Sequence, residues 1–234
     1  MPRKRSTYHH GDLRAALIKA SDEIIAQDGI EGFSLRAAAK RAGVSPGAPA
    51  HHFGSAKGLL TEVALLAYQK VDQYLEEAGR SDDVVKDVRA VSLAFVTFAF
   101  EHPGHFRLMF RNDLVDRNDP RYPEISHKPG KRISHAITAY YGKSEADQDR
   151  FEDAADLFCG LSTLHGLASL MLAEKFSHLF NNPTPQHFLK RDLPKILERL
   201  YPDQKRQSQK NRLRSDRLER SSGPSRNSGV AQRG

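Results

Sequence analysis

The chain has 234 residues, 38% of them apolar, and a formal net charge of +7, which suggests one or two domains with enough material for a hydrophobic core. Its apolar runs fall short of the roughly 18 residues that span a bilayer, and no apolar stretch follows the basic residues 1–5, so we expect neither a membrane segment nor a secretory signal. The single cysteine, Cys159, excludes an internal disulfide and suits the reducing cytoplasm, where we expect the protein to act.

The charge is distributed unevenly along the chain. Residues 1–60 carry nine Lys and Arg against five Asp and Glu, residues 61–202 carry 18 against 21, and residues 203–234 carry nine against three. Basic segments attract polyanions, usually nucleic acids or membrane headgroups. Both ends of the chain are therefore candidate contact regions, although a purely solubilising role for residues 203–234 is an equally open interpretation.

Apolar residues at helical spacing predict four helices between residues 12 and 75. The first ends near Gly29, which supplies a left-handed stop. Ser34 is a favourable N-cap for the second helix, and Gly43 is expected to end it. The apolar stripe of the first helix consists of Leu13, Leu17, Ala20 and Ile24.

A tight turn after Gly43 leads to a short third helix. Ser45 is its expected N-cap and Pro46 its first residue, where a missing N–H costs nothing, and the helix continues to about His52. Ser55 is expected to cap the fourth helix. The predicted inward side chains of that helix are Leu59, Val63, Leu66, Val71 and Tyr74.

Beyond residue 80 the pattern stays helical, with no convincing strand. Prolines predict loop or short turns over residues 112–130, and the polar, Arg-rich residues 203–234 are predicted to be disordered. Helices are predicted around the apolar stripe that runs from Val84 to Phe98 and over residues 105–111, 133–141, 147–174 and 185–200.

Two short helices joined by a tight turn containing glycine are typical of the helix-turn-helix motif. The first helix braces the second, whose N-terminal residues meet base edges in the major groove. Serine and histidine side chains donate to phosphates and bases, and alanine contacts thymine methyl groups. The candidate DNA-contacting residues are Arg3, Lys4, Arg5, Tyr8, Ser34, Arg36, Ser45, Pro46, Gly47, Ala48, Ala50, His51, His52 and Lys57.

Lys57 lies in the first turn of the fourth helix, where the helix dipole disfavours a cation. A phosphate docked there removes the conflict, because the lysine and the free N–H groups then bind the same anion. The basic arm, Arg3 to Arg5, can follow the DNA backbone or enter the minor groove. A solvated lysine and a solubilising arm are the alternatives that the residues alone leave open.

Three motifs form a specific combination within residues 8–70: Tyr8 to Arg14 (YHHGDLR), Ala42 to Ser45 (AGVS) and His52 to Leu60 (HFGSAKGLL). Together they resemble the tetracycline-repressor (TetR) family of regulators. The resemblance implies an all-α homodimer that binds a palindromic operator in double-stranded DNA, usually as a repressor, and carries a ligand pocket in its C-terminal domain. A tyrosine that often precedes the family's His-Phe pair and contacts phosphate is missing. His51 is our substitute for it, and its ring can donate to a phosphate or to a base.

The C-terminal half resembles a subgroup with a Trp-His-Gly (WHG) motif, through Leu164-His165-Gly166 and through residues 102–110. Leu164 replaces the tryptophan. For any single residue, the sequence alone favours a plain bundle core over a pocket. For the set, the resemblance reverses this preference and implies a pocket for an unidentified small, largely apolar effector, with His165 as its polar group. The candidate pocket residues are Phe95, Phe98, Phe106, Met109, Phe110, Phe158, Leu161, His165 and Met171.

The expected organisation is all-α, with a three-helix DNA-binding domain followed by a helical ligand-binding and dimerisation domain. Helices over residues 147–174 and 185–200 are the candidate dimer face, because two helices from each subunit make a four-helix seam. The predicted segments are a basic arm (1–7), the helix-turn-helix domain (8–55), a connecting helix (56–80), the ligand-binding and dimerisation domain (81–202) and a basic tail (203–234).

Other classes of function find little support. Eleven histidines suggest metal chemistry, but none forms a His-Glu-x-x-His helix, and nucleotide-binding glycine motifs are missing. We therefore expect no enzyme activity, no metal and no cofactor. A chromosome-organising protein of the nucleoid, sequence-tolerant and without ligand response, is the alternative that shares the same helix-turn-helix. A membrane-surface protein anchored by its basic tail is a further alternative, but the tail has no apolar face to insert into the membrane.

Overall fold

The computed structural model describes residues 10–143, 151–175, 178, 181 and 184–203. This part of the chain folds into helices and loops without a β-strand, which confirms the predicted all-α class. The predicted basic arm and the predicted disordered tail beyond residue 203 lie outside it. The elements are α1 His10–Asp28, α2 Leu35–Ala42, α3 Ala48–Phe53, α4 Ala56–Glu77, α5 Val84–Glu101, α6 Pro103–Met109, α7 Tyr122–Tyr140, α8 Phe151–Leu172, α9 Pro185–His187, a π-helical turn at Phe188–Asp192, and α10 Leu193–Leu200.

Local capping fixes the ends of α2 and the start of α4 where the sequence predicts them. The hydroxyl of Ser34 accepts a hydrogen bond from the N–H of Ala37 at 3.1 Å, and that of Ser55 accepts from Gly58 at 3.3 Å. Gly43 ends α2 with a φ of +68°, a left-handed conformation that glycine adopts without strain. Three local signals thus define most of the helix-turn-helix frame.

Helix α3 begins two residues later than the sequence predicts. The carbonyl of Ser45 accepts a hydrogen bond from the N–H of Ala48 at 3.0 Å. Pro46 and Gly47 therefore form a turn, and the expectation that Ser45 caps the helix is wrong. Pro49 occupies the second position of α3 and is buried. Since proline fits only the first turn of a helix, Pro49 determines where α3 starts.

The loop predicted over residues 112–130 is wrong for its second part, because α7 begins at Tyr122. Pro123 lies in the first turn, where proline is tolerated, and Pro129 is buried in the interior of the helix. Tyr122 and Ile137 are also buried, and the helix packs on α4 and α5. This tertiary packing outweighs the hydrogen bond that Pro129 cannot donate.

A π-helical turn interrupts the helix predicted over residues 185–200. The N–H of Leu193 donates to the carbonyl of Phe188, five residues earlier. The wider turn ends two residues before Pro194, which has no N–H to continue a regular ladder. Phe188, Leu193 and Leu197 all remain buried in the main core, so the break does not cost the segment its apolar contacts.

Buried clusters connect the helices. The main core is formed by residues of α4 to α8 and of the segment after residue 184. A second cluster contains Ile25 of α1, Leu108 of α6 and Tyr122 of α7, and it connects the N-terminal helices to the C-terminal helices. Leu66, predicted to point inward from α4, is instead 38% exposed, because Ala67 takes the buried position.

Candidate DNA-binding surface and effector region

Most of the predicted DNA contacts are accessible to solvent. Ala48 and His52 are half-buried, and Pro49 between them is covered. The polar groups of the turn and of α3 can therefore meet DNA without unfolding of the domain. The exposed members are Ser34, Arg36, Ser45, Pro46, Gly47, Ala50, His51 and Lys57. The members outside the described residues are Arg3, Lys4, Arg5 and Tyr8.

Phe53 fixes the end of α3 against the rest of the DNA-binding domain. It packs on a buried cluster that includes Ala38 and Leu59. The guanidinium of Arg14 lies 5.3 Å from the centre of the Phe53 ring, a cation–π contact. A Cβ at Gly58 would lie 2.2 Å from the carbonyl oxygen of Phe53, so only glycine allows α4 to begin this close to α3.

Glu62 on α4 joins α1 to the loop before α7. Its Oε1 accepts hydrogen bonds from Arg14 and Arg121, each at 2.6 Å, and its Oε2 accepts from Arg121 at 3.1 Å. Arg121 also donates to Asp119 at 2.7 Å. The sequence pattern predicts none of these contacts, because Arg14 and Arg121 are 48 and 59 residues away from Glu62.

The loop between α6 and α7 lies against the end of α4 that carries Lys57. The N–H of Asp116 donates to the hydroxyl of Thr61 at 2.8 Å, and that hydroxyl donates to the carbonyl of Lys57 at 2.7 Å. The hydrogen bond from Arg111 lowers the pKa of Asp113 to about 2, and the positive charge of Lys57 contributes to the lowering. Lys57, the candidate phosphate contact, therefore lies close enough to this loop for its charge to act on Asp113.

A second junction joins α6 to α1. A Cβ at Gly104 would lie 2.0 Å from the carbonyl oxygen of Ile25, so the two helices are in backbone contact. Nε2 of the buried His105 lies 2.7 Å from Oδ1 of Asp22. An ionised carboxylate only accepts, so the histidine donates, and this hydrogen bond lowers the pKa of Asp22. Neither residue was a candidate from the sequence.

The structure places two of the predicted pocket residues, Phe106 and Phe110, against His165. The ring centres of Phe106 and Phe110 lie 5.3 Å and 4.2 Å from that of His165. The ring of Phe95 lies 5.9 Å from that of Phe106. We call Phe95, Phe106, Phe110 and His165 the aromatic group. The other predicted pocket residues that lie in or against the main core are Phe98, Met109, Leu161 and Met171.

Phe158 does not join the aromatic group, which corrects its predicted place in the pocket. It lies on α8 with 73% of its surface exposed, whereas Leu164 of the same helix is fully buried. An apolar stripe on a helix does not reveal which of its faces the rest of the chain covers. Phe158 therefore belongs to the outer face of α8.

His165 offers a polar atom within apolar surroundings. Its Nδ1 is buried and has no hydrogen-bond partner among the described residues, and its Nε2 lies 3.3 Å from the hydroxyl of Ser169. Burial lowers the pKa of His165, so the ring is neutral at pH 7. A neutral imidazole with one open nitrogen can hydrogen-bond a ligand that reaches it.

Two clefts open on the C-terminal domain. The larger, about 420 Å³, lies between α4, α6 and α7 and includes Met109 and Phe110; we call it the Tyr68 cleft. The other, about 320 Å³, lies between α4, α5 and α7. Neither is lined by His165. Within the described part of the chain, no group of three or more His, Cys, Asp or Glu side chains is placed to hold a metal ion.

Family models match both parts of the chain. Residues 17–63 match the model of bacterial regulatory proteins of the tetR family. Residues 88–191 match the tetracyclin repressor-like C-terminal domain. The first range contains α2 and α3, and the second contains the aromatic group around His165. Assignment to the WHG subgroup stays a prediction.

Relatives agree with these matches. The HTH-type transcriptional regulator YobS of Bacillus subtilis strain 168 is 26% identical over 167 residues, which cover 71% of this chain and 82% of YobS. A protein of unknown function from Rhodococcus sp. RHA1 shares the fold with a TM-score of 0.63, at 24% identity over 85% of this chain and 100% of its own. The TetR family transcriptional regulator PfmR from Thermus thermophilus shares it with a TM-score of 0.50, at 20% identity over 67% of this chain and 84% of its own. From its sequence matches and its helical architecture, the chain belongs to the tetR family of bacterial transcriptional regulators.

Proposed function

We propose that this regulator is a homodimeric repressor, which a small, largely apolar ligand releases from an inverted-repeat operator. The observation that carries the proposal is one arrangement of helices. An exposed helix-turn-helix is docked, through α1 and α4, on a C-terminal domain in which two aromatic rings contact a histidine with an open nitrogen. The DNA contacts and the ligand contacts thereby lie on helices that pack on one another.

The proposed DNA contacts fall into two classes. Ser45 and His51 are exposed at the turn and on α3, where their side chains can hydrogen-bond to base edges. Lys57 is exposed in the first turn of α4, where a phosphate also receives hydrogen bonds from free backbone N–H groups. The first class reads sequence, and the second positions the protein on the backbone.

The outer face of α8 supports a dimer. Phe158 is 73% exposed and Leu170 is 46% exposed, and Ala154 and Ser162 of the same helix are exposed as well. Residues 154, 158 and 162 are four positions apart, so they share one face. By length and composition alone, the stretch Ala154–Leu172 would also suffice to cross a membrane. A second copy of the chain accounts for the same apolar face, with the segment 185–200 as its predicted neighbour.

The dimer follows from the geometry of operator binding. Two recognition helices meet successive major grooves on one side of DNA when they lie about 34–36 Å apart. A ligand in the aromatic group contacts α6, and α6 contacts α1 through His105 and Gly104. A ligand that binds one spacing of the two α3 helices better than another shifts the population toward that spacing.

A footprint on the DNA that flanks the regulator's own gene tests the proposal, at near-physiological salt with excess competitor DNA. Protection of a short inverted repeat, lost on addition of an effector, is the expected result. Protection that spreads without a boundary, with a steep salt dependence, would instead support the chromosome-organising alternative.

A further inference from the structure

The Tyr68 cleft is separate from the aromatic group but shares a wall with it. Phe110 lines the cleft, is 48% exposed, and has its ring centre 4.2 Å from that of His165. Met109 and Pro123 add further apolar surface. The volume of about 420 Å³ lies within the range of small-molecule sites. The cleft therefore has room for an organic molecule with an apolar body.

The two tyrosine hydroxyls in this cleft have no proton to offer a ligand. The hydroxyl of Tyr68 donates to the carbonyl of Met109 at 2.9 Å. The hydroxyl of Tyr122 lies 3.2 Å from that of Tyr68. Because Tyr68 has only one proton, Tyr122 is the donor in this second bond. A negative group in the cleft is therefore left with the hydroxyl of Ser126 and with nitrogen donors.

Arg117 is the strongest such donor. It lines the cleft and is exposed. Its positive charge acts to lower the pKa of the Tyr68 hydroxyl, against the larger raising effect of burial. No ion pair ties it to a carboxylate within the part of the chain that the structure describes. The nearby carboxylates of Asp113 and Asp119 are occupied by Arg111 and Arg121, at 2.7 Å each.

The other polar residues at the cleft also favour an anion. Asn112 supplies amide donors and His127 supplies a ring nitrogen, and no Asp or Glu is among the residues that line the cleft. The cleft between α4, α5 and α7 differs in this respect, because Glu76 and Asp87 line it together with arginines. Of these two clefts, only the Tyr68 cleft is lined by a basic residue without an acidic one.

We propose that the Tyr68 cleft binds an amphipathic organic anion, with its carboxylate at Arg117 and its apolar body against Met109 and Phe110. Binding of the anion at this site does not require operator DNA. Only the effect of that binding on repression rests on the proposed function.

That consequence follows from what the wall of the cleft touches. Asn112 and Arg117 belong to the loop between α6 and α7, which bonds to α4 through Asp116 and Thr61. At its end, Arg121 holds Glu62, which also binds Arg14 beside α3. An anion bound to Arg117 at the cleft therefore restrains a loop that is hydrogen-bonded to α4.

Binding of naphthalene-1-acetate and of its uncharged amide, 1-naphthaleneacetamide, to the full-length protein without DNA tests the site by calorimetry. The two probes share the aromatic body and differ in the charge. We expect the carboxylate to bind at least about tenfold more tightly than the amide, since hydrogen bonds to charged groups are the stronger ones. Arg117→Gln should reduce this preference to within about twofold and leave amide binding unchanged.

Arg107→Gln is the matched control, because Arg107 is exposed on α6 but does not line the cleft. It should leave both affinities unchanged. Equal binding of the two probes, absence of binding by either at millimolar concentration, or a carboxylate preference that survives Arg117→Gln would each overturn the proposal. Since no DNA is present, these outcomes do not depend on whether the protein represses an operator.

Discussion

Nε2 of His105 lies 2.7 Å from Oδ1 of Asp22, and this bond connects α6 of the C-terminal domain to α1 of the DNA-binding domain. The histidine side chain is 1% exposed, so the carboxylate is the group that satisfies a buried donor. The contact therefore joins the two domains, and protonation of the Asp22 carboxylate weakens it.

Asp22→Asn should lower the free energy of unfolding at pH 7 by about 1–3 kcal/mol, because it replaces a charge-assisted bond to a buried group. The pKa of Asp22 is lowered in the folded state, chiefly by His105. Its contribution is therefore complete above the ordinary value of 3.8 and is lost as the pH falls through the lower folded value.

Urea unfolding at pH 7 and over the acid range measures both effects. Glu23→Gln is the control, since Glu23 is the neighbouring acid on α1 and has no ion pair among the described residues. Equal acid sensitivity of wild type and Asp22→Asn would show that the junction does not depend on this carboxylate.

Gly104→Ala should destabilise the protein by about 1–3 kcal/mol, the usual cost of overpacking. Its Cβ would lie 2.0 Å from the carbonyl oxygen of Ile25, a backbone atom that cannot rotate away. Gly130→Ala in the interior of α7 is the control, because a Cβ there meets nothing within 4 Å. That variant should gain up to about 1 kcal/mol in helix propensity. Thermal unfolding of the two variants distinguishes the effect of the contact with Ile25 on stability from the general effect of replacing a glycine.

Lys57→Ala and His51→Ala should affect DNA binding differently. Loss of a phosphate contact should weaken binding evenly across sequences and reduce the slope of log affinity against log salt by about one. Loss of a base contact should change which sequences are preferred. Selection from random DNA with both variants, followed by salt titration, measures this, and exchanged phenotypes would reject the assignment.

Phe158→Glu should convert the proposed dimer to a monomer, because it places a charge in the centre of the exposed face of α8. Gln69→Glu adds the same charge at an exposed position of α4 and should leave the dimer intact. Sedimentation velocity measures the mass of each variant. A Phe158→Glu protein that remains dimeric would place the interface elsewhere.

Removal of residues 204–234 should leave folding unchanged and weaken binding to DNA without an operator. The deleted residues carry nine Lys and Arg against two Asp and Glu, and fewer phosphate contacts reduce the salt dependence. The cut keeps the carbonyl of Pro202, which accepts from Tyr140 at 3.0 Å, and Asp203, which pairs with Arg89. An unfolded product would contradict the assignment of the tail as a separate segment.

The sequence predicted those features that depend on neighbouring residues. Ser34, Gly43 and Ser55 act on backbone groups within a few positions, so their residue types alone locate the helix ends. Pro129 misled the prediction for α7, because a local signal for a break was outweighed by packing on α4 and α5.

The sequence pattern did not predict the junctions at Asp22 and at Glu62, for a different reason. Asp22 meets a residue 83 positions later, and Glu62 meets one 59 positions later. A charged residue on a helix surface looks the same whether it meets solvent or a distant partner. Phe158 shows a second limit of the sequence pattern. Apolar spacing identified an apolar face of α8, but it did not show that the chain leaves this face exposed.

The backbone contact between Gly104 and Ile25 restricts how such regulators can be recombined. A hybrid that takes its DNA-binding half from one family member and its sensing half from another must also match this contact surface. A side chain larger than hydrogen at position 104, or the loss of the acid at position 22, would leave correctly folded halves poorly joined. The N-terminal helices and the C-terminal helices of this protein are therefore a fitted pair, and the fit is made by residues outside both sets of proposed contacts.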